Sequence, residues 1–273
     1  MRPSDGSRTC ARGFKDRRSG GLRAEATGAD VSLIQNKVQK PSRSNCIAIG
    51  KSMASLTEND SDYRLAVESV GNELVRAMTT ARLIEFDLES NDLTIAVLLR
   101  LKSFFLTQGV LKAHLNKVYA TPAADFFVET ICFFLKIFLE QKSPRLTVAS
   151  ERNILPKRGA LRPDISIWKN GKVVAAIECK TQLGWNRTGW LDDFLIREKR
   201  LKENFPSATL FLLVMTGSNW PGFGNDHRVG KQFFLILNSI WPDTFDTILH
   251  AKNQVVHPVE NLFSDVLACT IEN

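Results

Sequence analysis

Two carboxylates and a lysine are spaced in this chain so that they can converge at one end of a hairpin. Asp164 opens the apolar run Ile165-Ser166-Ile167-Trp168, and Glu178 and Lys180 close a second run that begins at Val173. Between the runs lies Asn170-Gly171. That pair is a strong short-range signal for a tight hairpin, because both turn positions need positive φ. Side chains alternate along a strand. Val174, Ala176, Glu178 and Lys180 are therefore expected on one face of the second strand, and Val173, Ala175, Ile177 and Cys179 on the other. Pairing brings Asp164 across from the Glu178–Lys180 end. A Glu inside so apolar a strand needs a partner.

Carboxylates converging in this way suit a hard divalent cation, which is held by one or two carboxylates together with waters and phosphate oxygens. A lysine beside it can orient or help deprotonate an attacking water and offset the charge that builds on phosphorus. Pro163-Asp164, thirteen intervening residues, then Glu178-Cys179-Lys180 resembles the PD-(D/E)xK signature of restriction-endonuclease-like nucleases. The resemblance implies a metal held by Asp164, Glu178 and the Cys179 carbonyl. It also implies Lys180 serving the nucleophilic water and Mg²⁺ as the cofactor, with Mn²⁺ as a substitute. Two partial repeats of the pattern, Pro242-Asp243 and Glu140-Gln141-Lys142, lack the rest of it.

The surrounding elements must place that hairpin. Residues 122–142 read as a Phe/Ile/Leu-rich helix starting at Thr121-Pro122, and 145–150 as a short strand. A Lys/Arg/Gly-containing loop runs to Arg162, and the hairpin strands follow at 164–168 and 173–180. An amphipathic helix is expected over 190–204, ending before Pro206, and a buried strand over 208–215. Helix, three strands, helix, strand is the common core of the resembled family, a central mixed sheet flanked by helices in three layers. The fold class is thus α/β. Residues 55–119 add a helical N-terminal layer or a small separate domain, and 226–265 add one or two helices. The domains expected are 1–52 as a tail, 53–120 as the helical region and 121–273 as the nuclease core.

Charge is unevenly distributed. Residues 1–52 hold eleven Lys/Arg and four Asp/Glu, a surplus equal to the +7 of the whole chain, so 53–273 are formally neutral. The tail is rich in Ser, Gly and Arg with little periodicity and reads as disordered. It either grips phosphate nonspecifically or precedes a true start at Met53. No apolar stretch approaches the roughly 20 residues that span a bilayer, so no membrane association is expected. Five scattered cysteines without a CxxC pair fit a reduced, cytoplasmic chain, and four dispersed histidines disfavour zinc.

Further candidates surround the motif. In many members of the resembled family a third acidic residue lies on the helix before the first strand, and Glu129 is in that element. Asp125, Glu129, Lys136 and Glu140 form one narrow helical stripe, facing either the cleft or solvent. Glu151, after the first strand, is a weaker candidate. In the loop after Lys180, Gln182 points to the same face as Lys180 and suits a water or phosphate contact. Arg187 either holds a phosphate or pairs with Asp192 or Asp193. Trp185 and Trp190 either stack on a base or cap the core. Lys157, Arg158 and Arg162, just before Asp164, suit a phosphodiester backbone. Gly217–Lys231 fails as a P-loop, since its spacing is one too long and Gln232 replaces the Ser/Thr. The expected activity is metal-dependent hydrolysis of DNA phosphodiester bonds by an endonuclease of restriction or defence type. The partner is nucleic acid, and a homodimer would serve paired symmetric cuts. The alternatives are a catalytically silent binding module on the same fold, or a repair, junction or RNA nuclease.

Overall fold

The computed structural model describes residues 55–183, 189–218 and 225–271. Contacts divide the chain into two units, Met1–Asn59 and Asp60–Asn273. Of the first, the described part is the turn of helix α1 (Leu56–Asn59), and the expected tail over 1–52 lies outside the described residues.

The second unit is built on five strands, β1 (Leu146–Ser150), β2 (Ile165–Lys169), β3 (Lys172–Lys180), β4 (Thr209–Thr216) and β5 (Phe233–Leu237). They lie side by side in chain order. β1, β2 and β3 pair antiparallel, whereas β3, β4 and β5 are parallel, so the sheet is mixed and the class is α/β. The parallel step from β3 to β4 requires a crossover, which helix α5 (Gly189–Lys202) provides. β5 was not foreseen; 226–265 was read as helical only. Its five residues, Phe-Phe-Leu-Ile-Leu, are all buried and carry no period that separates a strand from a buried helical turn.

Helices cover both faces. On one, α3 (Asp92–His114), α4 (Ala124–Lys142) and α7 (Val259–Ile271) pack with Ile165, Ile167, Ile177, Phe211 and Phe234. On the other, α5 packs Phe194 and Leu201 against Ala176, Leu210, Leu212 and Phe233. Both faces of β3 are therefore buried, as continuous apolar strands of a parallel sheet require. At the ends of α3 and α7 the Val259 N–H donates to Thr94 Oγ1 (2.7 Å) and the Thr94 N–H to Glu260 Oε1 (3.0 Å). The buried Glu260 carboxyl is satisfied by the Thr94 N–H, one of the amides left unpaired at a helix N-terminus, and by the Thr94 hydroxyl. Helix α2 (Ser61–Ala81) leaves most of its length exposed and touches the core through Ala77, Met78 and Ala81. A short helix α6 (Ile248–Gln254) precedes α7.

Two expectations need correction. By length and composition α3 is a helix that can cross a bilayer, contrary to the reading that no such stretch exists. Arg100 and Lys102 interrupt its apolar run mid-helix, and Leu93, Val97, Leu98 and Leu101 are core residues here. Second, the hairpin turn forms as expected, with positive φ at Asn170 and Gly171, but the register slips between Ile167 and Trp168. Ala175 pairs with Ile167 while Val173 pairs with Trp168, so Val174 is the extra residue of a bulge. Strict alternation holds only from Ala175 onward. Val174 joins Ala175 in the α4-side core, and Val173 joins Ala176 in the α5-side core.

Both partial repeats of the motif are structural. Glu140 pairs with Arg82 at 3.0 Å, and the Gln141 amide donates to the carbonyls of Arg82 and Ile84. Pro242-Asp243 starts a 3-10 turn.

Candidate active site

The site lies where β2 has ended and β3 runs on by several residues. Ile165–Ile177 is the last paired position of those strands, which leaves the β2-side edge of Cys179 without a ladder partner. The Asp164 side chain takes that role: its Oδ2 accepts the Cys179 N–H at 2.8 Å. Its own backbone is tied to the end of β1, since the Asp164 carbonyl accepts from the Glu151 N–H (3.0 Å) and Ser150 Oγ (3.1 Å). Glu151 adopts positive φ to do so. Asp164 is thus tied by its carbonyl to the end of β1 and by its side chain to β3. In a strand a residue's N–H and C=O leave by the same edge, which turns the Cys179 carbonyl to the Asp164 side as well. The Cys179 thiol faces the α4-side core, where burial pushes its pKa well above the ordinary value, so it is an inert side chain.

Lys180 joins the two carboxylates. Its Nζ lies 3.4 Å from Asp164 Oδ2 and 3.7 Å from Glu178 Oε2, and its side chain is 47% exposed. Glu178 is only 3% exposed. Burial pushes its carboxyl up from the usual range and Asp164 adds to this, against Arg197 and Lys180, which pull it down. Arg197 was not singled out in the sequence. It stands on α5, three residues after Phe194 and four before Leu201, on the stripe that packs against the sheet. That spacing is the signal that could have revealed it. Its Nη2 donates to Glu178 Oε1 at 2.5 Å and to the Arg162 carbonyl at 3.0 Å.

Two clefts meet at Lys180 and Gln182, which line both. The first, about 340 Å³, holds Asp125, Glu129, Glu151, Asp164 and Cys179. The Asp125–Glu129 side of the α4 stripe therefore faces this cleft, and Glu129 shares it with Asp164. The second, about 320 Å³, lies on the α5 side and holds Glu178, Trp190, Asp193, Phe194 and Arg197. Trp190 packs edge-on against Phe233 at 5.6 Å, a core contact. Lys157 and Arg158 line a separate cavity with Arg152, Trp168 and Phe205, away from the carboxylates. The exposed Arg162 contributes its carbonyl to Arg197. Arg187 and Trp185 lie outside the described residues.

The donors present suit a hard cation. Carboxylate and carbonyl oxygens are the ligands of Mg²⁺ and Mn²⁺, which retain several waters. Among the described residues no three His, Cys, Asp or Glu side chains gather around one point. The oxygen donors that the protein offers at this point are the two carboxylates and the Cys179 carbonyl.

No protein-family profile matches this chain, and no curated protein matches it. Among solved structures, the native BbvCI A2B2 tetramer at low resolution matches 63% of this chain and 89% of its own, at 9% identity and a TM-score of 0.29.

Proposed function

We propose that the chain is a Mg²⁺-dependent phosphodiesterase acting on DNA, built on a restriction-endonuclease-like core. The observation that carries this reading is the convergence of Asp164 and Glu178 on one Lys180 Nζ at the open ends of adjacent strands. A rim of charges on an ordinary hairpin would leave its glutamate in solvent. Here the glutamate is buried, backed by an arginine, and set beside a cleft.

Asp164, Glu178 and the Cys179 carbonyl would hold the metal. Bound there, Mg²⁺ would supply Lewis-acid stabilisation of the phosphate and lower the pKa of a ligated water. Asp164 keeps one carboxylate oxygen not engaged by the Cys179 N–H, and Glu178 one not engaged by Arg197, so both would be able to hold the metal. Lys180, half exposed and between both carboxylates, orients the attacking water and offers its N–H groups to the developing negative charge. Gln182 lies on both clefts and is placed to hold a nonbridging phosphate oxygen or that water. Glu129 orders water on the α4 side. A restriction or defence endonuclease is the biological role in keeping with a DNA substrate, and two copies would give paired cuts.

Incubating the full chain with supercoiled DNA, linear DNA and RNA, in Mg²⁺ and in EDTA, tests this. Discrete metal-dependent DNA products are expected. RNA cleavage alone would reassign the substrate. Absence of cleavage with no Mn²⁺ binding by calorimetry would leave a binding module.

A further inference from the structure

Arg197 makes two bonds from one nitrogen, and both lead to the segments that carry the carboxylates. One reaches Glu178 Oε1 on β3, and the other the carbonyl of Arg162, two residues before Asp164 with Pro163 between them. The side chain is 32% exposed, so these bonds are only partly accessible to competing water. Among the described residues its Nε is buried with no acceptor. A buried donor left unsatisfied counts against stability and calls for another reason to be there. Holding α5 to the sheet is not that reason, because Phe194 and Leu201 are buried on the same stripe and Arg200 separately donates to the Gly159 carbonyl.

The division of the Glu178 oxygens is more informative. Arg197 takes Oε1, which leaves Oε2 directed at Lys180 and the Asp164 side. The two N–H groups of one guanidinium nitrogen point in directions fixed by the plane of the group, whereas the three of a lysine ammonium rotate about a flexible stem. We propose that Arg197 is a positioning residue of the metal site. It fixes the Glu178 rotamer and clamps the end of β3 to the Arg162–Asp164 segment, so the two carboxylates keep one spacing whether or not substrate is bound. This rests on the metal-dependent reading of the site. Groups behind a ligand tune affinity by orienting it, and their loss lowers metal affinity about 10- to 100-fold.

The test uses the full chain as wild type, Arg197→Gln and Arg197→Lys, with Mn²⁺ binding measured by calorimetry without DNA. Cleavage is then followed across a Mn²⁺ series, and thermal unfolding in EDTA. Arg197→Gln should bind Mn²⁺ about 10- to 100-fold more weakly and regain cleavage as Mn²⁺ is raised in proportion. Arg197→Lys, which keeps the charge but not the planar donor geometry, should fall between the two. Wild type and Arg197→Gln binding Mn²⁺ equally would overturn the role of Arg197 while leaving the nuclease reading intact. A change in unfolding temperature without a change in Mn²⁺ affinity would overturn it too. A wild type that binds no Mn²⁺ would remove the nuclease reading, and this role with it.

Discussion

Asp164 does two jobs that one pair of substitutions separates. Its Oδ2 accepts the Cys179 N–H at 2.8 Å where β2 has run out, and in the proposed function the same carboxylate would hold the metal. Asp164→Ala strips the acceptor from a partly buried backbone donor. An unsatisfied N–H of this kind costs about 1–3 kcal/mol. Asp164 is 25% exposed, so water reaches the vacated position in part, and the lower half of that range, about 1–2 kcal/mol, applies. The Lys180 contact adds little, because Lys180 is 47% exposed and exposed pairs contribute about 0–1 kcal/mol. Asp164→Asn keeps an oxygen for the Cys179 N–H while removing the charge, and should stay within about 0.5 kcal/mol of wild type. Urea unfolding read by circular dichroism measures both variants, and Mg²⁺-dependent DNA cleavage is assayed beside it. Both should be inactive, but only Asp164→Ala should be destabilised. Equal destabilisation of the two would refute the hydrogen-bond assignment and place the loss in the charge. An Asp164→Ala variant as stable as wild type would refute the structural role altogether.

Other expectations concern the same framework. Burial, then Asp164, raise the Glu178 carboxyl above its unfolded value, so the folded state keeps that proton to higher pH than the unfolded chain does. Glu178 therefore costs stability above this window, and the cost fades as pH falls through the folded-state pKa. Glu178→Gln, which still offers Arg197 an acceptor, should flatten the dependence: the variant is the more stable above the window and converges with wild type below it, as urea midpoints across pH will show. Glu129→Gln should lower cleavage about 10-fold at limiting Mg²⁺ and less at saturation, and equal rates at both would remove Glu129 from the site. A Cβ on Gly217 would lie 2.2 Å from the Asn238 carbonyl oxygen, a backbone atom with little room to move. Gly217→Ala should cost about 3 kcal/mol in urea unfolding, and a neutral result would refute the close approach of the chain beyond β4 and β5.

What could be read from the sequence was local chemistry. Asn170-Gly171 fixed a turn because its φ requirement is intrinsic to two residues. The motif was legible because Asp164, Glu178 and Lys180 sit on the strands that this turn joins. The bulge at Val174 was not, since it depends on Trp168 and Val173 being pulled together into the α5-side core. β5 was missed because a buried apolar pentamer has no period of its own. Arg197 was hidden among Glu198, Lys199, Arg200 and Lys202, where a charged stretch reads as a solvated helix face. Lys157 and Arg158 were placed near Asp164 by sequence distance alone, and the loop carries them to another cavity.

Lys180→Ala offers the most direct test of the central claim. Lys180 is half exposed, so its removal should leave the fold in place. Single-turnover cleavage of supercoiled DNA in Mg²⁺ should fall by at least about 100-fold in the variant, the lower end of what a positioned proton-transfer group contributes, with Mn²⁺ binding retained. Cleavage at the wild-type rate by Lys180→Ala would contradict the account, because the chemistry would then lie elsewhere on the molecule.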